Sequence, residues 1–148
     1  MNEYFSCPHL TPASYDSSYG INNARIAIVM AVAKASDYEE FVYAINATKC
    51  YAAHFGYQMH IIELYENHEL EKNCNHTHLF FKRHCALAWL MESNRLTIDY
   101  ALYLDADMGV INPCHTIQEY VVKDVRVHLT FYERYFNVQF AAGSYIAK

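Results

Sequence analysis

The sequence predicts an α/β protein, with a mainly parallel sheet and flanking helices. Ile26 to Ala33 and Tyr100 to Leu104 are near-continuous apolar runs without alternation, as strands covered on both faces are. Stretches of helical periodicity separate the strand candidates, and strands separated by helices pair in parallel through crossover connections. The chain has 148 residues, 53% apolar and 18% charged, which suits one domain with enough length to bury a core.

Taken in order, residues Met1 to Asn23 are rich in Ser, Tyr, Asn and Pro, show no periodicity, and read as a flexible leader. The packed domain is expected over residues 24–148. Arg25 to Ala33 is its first strand. Ser36-x-x-Glu39 has the spacing of a capping box, followed by a helix to Phe55 with Gly56 as its stop. Phe41, Ile45, Thr48, Ala52 and Phe55 recur at helical spacing and form its apolar stripe. Gln58 to Leu64 is a further strand, and the polar segment Tyr65 to His78 a loop.

Phe80 to Ser93 predicts a second helix, with Phe80, Leu87 and Met91 on one face and Lys82 and Trp89 opposite. Its apolar composition predicts burial on both sides. Thr116-x-x-Glu119 is another capping box and starts a short helix. Val125 to Tyr132 alternates as an edge strand does. Phe140 to Ala147, containing Ala142-Gly143-Ser144, is a last strand or bend. No internal repeat or linker interrupts this order.

Bulk properties exclude several functions. A net charge of −5 and the lack of a basic tract argue against nucleic acid, whose phosphates demand Lys and Arg. Ile26 to Ala33 is the longest apolar run, too short to span a bilayer. The first ten residues carry no signal-peptide core. Five Cys at irregular spacing, without C-x-x-C, exclude a zinc ribbon and reveal no connectivity. Asn46-Ala47-Thr48 and Asn75-His76-Thr77 are glycosylation sequons, compatible with a secretory lumen. His68, Cys74, His76, His78, His84 and Cys85 are a His/Cys-rich patch whose spacings match no familiar zinc site. Glu133 follows a strand as a catalytic acid or base can, but without a visible partner. P-loop, dinucleotide-glycine, G-x-S-x-G and H-E-x-x-H signatures are absent from the sequence.

The stretch with most chemistry is Tyr100 to Pro113, YALYLDADMGVINP. Its apolar strand ends on Asp105-Ala106-Asp107. In open α/β sheets ligands bind beyond the carboxyl ends of the strands. Two carboxylates together repel unless neutralised, and a hard divalent cation such as Mn²⁺ or Mg²⁺ is their natural partner. Such an ion keeps positions that phosphate oxygens fill. Asp-x-Asp also arises as an ordinary turn sequence. The buried strand before it and the Gly-apolar-apolar-Asn-Pro exit after it favour the metal reading. Lys82-Arg83 opens the second helix, where a cation can offset diphosphate charge or simply face solvent.

With RIAIVMAVAK, KRHCALAWL, DYALYLDADMGVINP and FAAGSYIAK in this order, the chain resembles GT-A type glycosyltransferases of the nucleotide-diphospho-sugar transferase superfamily. It is similar to the galactosyl- and xylosyltransferase-like members, and more closely to a related family known only as a domain of unknown function. The similarity covers roughly residues 24–148, and the Asp-x-Asp region is its most specific part. The resemblance implies a Rossmann-like GT-A sheet, a nucleotide-sugar donor, a glycan or glycoconjugate acceptor, and a Golgi or secretory setting. It implies that Asp107 coordinates Mn²⁺ (or Mg²⁺) and that Asp105 touches the metal or the ribose. It further implies that Lys82 touches the donor and that Gly143 and Ser144 border the donor sugar.

Such enzymes continue past the segment equivalent to Gly143 into an acceptor-binding half with a further metal ligand, often His. This sequence ends at Lys148, so a truncated pseudoenzyme that keeps the fold is one alternative. A haloacid-dehalogenase-like phosphatase is a second. There Asp105 would be the nucleophile and Asp107 the general acid, but Gly109 stands where that motif has Thr or Val.

Overall fold

The computed structural model describes residues 19–148; residues 1–18, most of the expected leader, lie outside it. Tyr19 and Ile21, at the end of that segment, pack against the core. Five strands form one sheet: β1 (Ile26–Val32), β2 (Gln58–Glu63), β3 (Tyr100–Asp105), β4 (Leu129–Glu133) and β5 (Phe140–Ala147). Their spatial order is β2-β1-β3-β5-β4. β1 pairs in parallel with both β2 and β3, whereas β5 runs antiparallel to β3 and β4. Only β5 therefore opposes the common direction, and the sheet is mostly parallel, as the sequence predicts.

Among the described residues, three α-helices accompany the sheet: α1 (Val42–Phe55), α2 (His68–Asn73) and α3 (Leu79–Ser93). β1 lies inside the sheet between β2 and β3, and its alternate residues feed two cores. Ile26, Ile28 and Met30 pack with Ile45, Ala52 and Phe55 of α1. Ala27 and Val29 pack with Leu70 of α2 and Ala86, Leu87 and Leu90 of α3. Ile26 through Met30 are fully buried, and each large apolar side chain among them contributes roughly 1.5–3 kcal/mol of transfer free energy.

The helix ends show where local chemistry overrode the expected pattern. Ser36 does not cap α1. Its hydroxyl donates to Asp37, and the Asp37 carboxylate accepts the Lys34 N–H at 3.2 Å, closing a 3-10 turn over Ala35–Tyr38. α1 begins only at Val42, and it ends at Gly56, whose φ of 74° places it in the left-handed region. The expected loop at Tyr65 to His78 contains α2, capped by Asn67 Oδ1, which accepts the Leu70 N–H at 3.1 Å. The Thr116–Glu119 box does form: the Thr116 N–H donates to Glu119 at 2.8 Å and starts the 3-10 turn Ile117–Tyr120.

α3 differs most from its expected orientation. Its buried residues are Lys82, Ala86, Leu87 and Leu90, while Phe80 is 57% exposed and Phe81 65%. The helix is half exposed rather than sandwiched. Ala142-Gly143-Ser144 is not a bend, because β5 runs through it from Phe140 to Ala147.

Candidate functional site

Alternation along β3 decides what surrounds the Asp-x-Asp pair. Ala101 and Tyr103 face α3, so Asp105 points to that side too, while Leu104 joins the core under α1. In the parallel register Asp105 lies opposite Ala31, at the carboxyl end of β1. On its other side Leu104 pairs with Ser144, which places Gly143 beside Asp105 one step along the ladder. A Cβ at Gly143 would lie 2.6 Å from Asp105 Oδ2 and 2.9 Å from Met108 Cε. The absent side chain leaves this carboxylate its space.

Asp105 Oδ1 accepts hydrogen bonds from Arg83 Nη1 at 2.6 Å and from the Tyr103 hydroxyl at 3.2 Å. The Arg83 guanidinium also lies 4.9 Å from the Phe80 ring. Burial raises the Asp105 carboxyl above the usual Asp range. Arg83 and the Tyr103 bond pull it back, and Asp107 pushes it further up. Asp107 itself is exposed. Below this pair, Tyr103 and Tyr145 are cross-strand partners stacked 5.3 Å apart, and His84 Nδ1 lies 2.8 Å from the Tyr145 hydroxyl.

Lys82, expected at the donor, is elsewhere. Its side chain is 1% exposed, forms an ion pair with Glu71 of α2, and lies 4.3 Å from the centre of the Tyr65 ring. Arg83, one residue on, is the cation that meets the acids. The sequence carried a signal for this. Arg83 shares a helical stripe with Ala86, Leu87 and Leu90, the residues that face the sheet. A stripe drawn through Phe80 and Met91 turned that face away.

A cleft of about 340 Å³ opens above these groups. Its walls are the carboxyl ends of the parallel strands, with Ala31 to Ala33 at the end of β1, Leu64 just past β2 and Asp105 to Asp107 at the end of β3. Asp37, Glu40, Asp105 and Asp107 line it against the one guanidinium of Arg83. The charge balance therefore favours a cation. Among the described residues no three His, Cys, Asp or Glu converge on one point. Two carboxylates in a negative cleft fit Mn²⁺ or Mg²⁺ that enters with phosphate oxygens, because such ions are often held by one or two acids plus substrate. They do not form an all-protein cage.

The remaining sequence candidates lie apart from this cleft. Cys74 and Cys85 form a disulfide, and His84 bonds to Tyr145, so the His/Cys patch is not a shared ligand set. Glu133 is exposed at the end of edge strand β4. No described helix is long and apolar enough to cross a membrane.

A family model described as "protein of unknown function, DUF273" matches residues 48–148. No curated protein sequence matches the chain. Among solved structures, the fold is similar to a glycosyltransferase involved in the glycosylation of the major capsid of PBCV-1. That match has a TM-score of 0.61 and 18% identity, and covers 82% of this chain and 59% of the other. At that identity the likeness is one of fold. This chain spans little more than half the length of that enzyme.

Proposed function

The chain belongs to the DUF273 family, and on that premise we propose that it is the donor-binding part of a metal-dependent glycosyltransferase acting on a nucleoside-diphosphate sugar. A single observation carries the proposal. The Asp105–Asp107 pair stands at the carboxyl edge of parallel strands, in an acidic cleft, beside a position where only glycine leaves room. The GT-A-like fold is consistent with it.

In this reading Asp107 is the direct metal ligand, and Asp105 holds the metal or the ribose. Bound Mn²⁺ or Mg²⁺ supplies Lewis-acid stabilisation of the charge that develops on the departing diphosphate. Arg83 then has two anions within reach. It neutralises Asp105 before the donor arrives and offers its fork to diphosphate oxygens afterwards. Lys82 serves through structure, tying α2 to the first turn of α3 and so orienting Arg83. Gly143, beside Asp105, borders the space for the sugar, whereas Ser144, the cross-strand partner of Leu104, lies on the opposite face of the sheet and stays outside that space. Transfer breaks the bond from the anomeric carbon to the diphosphate oxygen, which leaves with the electron pair. The acceptor hydroxyl, of a glycan or glycoconjugate, forms the new bond and loses its proton.

The test is calorimetric titration with uridine and guanosine diphosphate sugars, with and without Mn²⁺. We expect binding that requires the metal and falls at least tenfold in Asp107→Ala. Equal affinity with and without Mn²⁺, or an unaffected variant, overturns the reading. Metal-dependent binding with no sugar transfer or donor hydrolysis identifies a donor-binding pseudoenzyme. Release of phosphate from simple esters through an acyl-phosphate on Asp105 identifies a phosphatase.

A further inference from the structure

Two Asn-x-Thr sequons occur in the chain, and the fold treats them differently. Asn46-Ala47-Thr48 lies within α1. Asn46 is exposed, but Thr48 is 0% exposed and its hydroxyl has no hydrogen-bond partner. An oligosaccharide-transferring enzyme reads the asparagine amide together with the hydroxyl two residues on. In the helix these two groups point to opposite sides, one to solvent and one into the core.

Asn75-His76-Thr77 is the reverse case. All three residues are exposed, and they lie in the connection between α2 and α3, outside any helix or strand. The His76 N–H donates to the Cys74 carbonyl at 2.8 Å, so Asn75 sits at the apex of a three-residue turn. The Tyr65 hydroxyl donates to the Thr77 carbonyl at 3.3 Å, which engages the backbone and not the threonine side chain. An adjacent, independent feature identifies the compartment. Cys74, the residue before Asn75, is bridged to Cys85, and Cys114 is also in a disulfide. Such bridges form and persist where the environment is oxidising, as in the lumen where N-linked glycans are added.

We infer that Asn75 is the N-glycosylation site of this chain and that Asn46 stays unmodified. The donor is a lipid-linked diphosphate oligosaccharide. A bond forms between Asn75 Nδ2 and the anomeric carbon, the carbon–oxygen bond to the lipid diphosphate breaks with its electron pair, and the amide loses a proton. This assignment is independent of the donor-binding reading.

The experiment is expression of the whole chain behind an endoplasmic-reticulum targeting signal in cultured eukaryotic cells, followed by peptide-N-glycosidase digestion and electrophoresis. The expected result is one glycosidase-sensitive mobility step that disappears in Asn75→Gln and Thr77→Ala, persists in Thr77→Ser and is unchanged in Asn46→Gln. Thiol blocking before and after reduction reports whether the Cys74–Cys85 bridge forms in each variant, separating loss of the acceptor from misfolding. No step in the wild-type chain, or one that survives Asn75→Gln and vanishes in Asn46→Gln, overturns the assignment.

Discussion

Gly143 is the residue at which the fold and the proposed chemistry depend on the same missing atoms. The Met108 methyl, 2.9 Å from a Cβ built there, is the end of a flexible chain and moves easily. Asp105 does not, because its other oxygen is held by Arg83 and Tyr103. Gly143→Ala therefore has to displace the carboxylate or part β5 from β3. It is expected to cost about 1–3 kcal/mol, the usual range for overpacking a filled site, and to weaken Mn²⁺-dependent nucleotide-sugar binding at least tenfold. Ala142, exposed on the next position of β5, supplies the control: Ala142→Ser should match wild type in both assays. Thermal denaturation and titration of the three proteins check this, and wild-type binding by Gly143→Ala would remove Gly143 from the site.

At the scale of elements, strand identity was legible because burial on both faces writes itself as an unbroken apolar run. β1, β3 and β5 were read from the sequence almost to the residue. The position of the Asp105–Asp107 pair was visible for the same reason, since two acids ending such a run fall at the carboxyl edge of the sheet. What stayed hidden depended on contacts between distant segments. α2 is only six residues long and mostly polar, and it is anchored by Leu70, by the Lys82–Glu71 ion pair and by the Cys74–Cys85 bridge. None of these shows up in local periodicity, so the segment looked like a loop. The burial of Lys82 was hidden by the same omission, since a lysine is not expected on a buried stripe unless its partner is already known. The bridge supports a prediction of its own. Closing an 11-residue separation, it should contribute about 2–4 kcal/mol, so Cys74→Ala/Cys85→Ala should melt well below wild type under oxidising conditions. Reductant should lower the wild-type melting temperature and have a smaller effect on the double variant. Equal melting temperatures would mean that the ion pair and Leu70 alone hold α2.

For the whole molecule, folding places two histidines on the same side of the sheet in surroundings that resist their charge. His60 on β2 lies 3.2 Å from the Gln58 amide oxygen, and burial lowers its pKa below the ordinary histidine value. His84 on α3 is lowered first by burial and then by Arg83, with Asp105, on the same face of the sheet, opposing. Both groups take up protons more readily in the unfolded chain. Their stabilising contribution is therefore present above the ordinary value of 6.5 and is lost as pH falls toward the lower folded values. Asp105 has the opposite sign: its pKa is raised in the fold, so it regains stability as pH falls through that raised value. Asp99, lowered chiefly by its hydrogen bond from Arg25, begins to lose stability only below 3.8. The melting temperature should consequently decline as pH falls below 6.5, flatten where Asp105 takes up its proton, and fall again below 3.8. His84→Asn, which can keep a bond to the Tyr145 hydroxyl without titrating, should shrink the first decline and leave the acid limb unchanged. Melting curves for both proteins at half-unit pH steps check the sign. A first decline of equal size in the two would mean that His84 carries its charge in the folded state as easily as in the unfolded one.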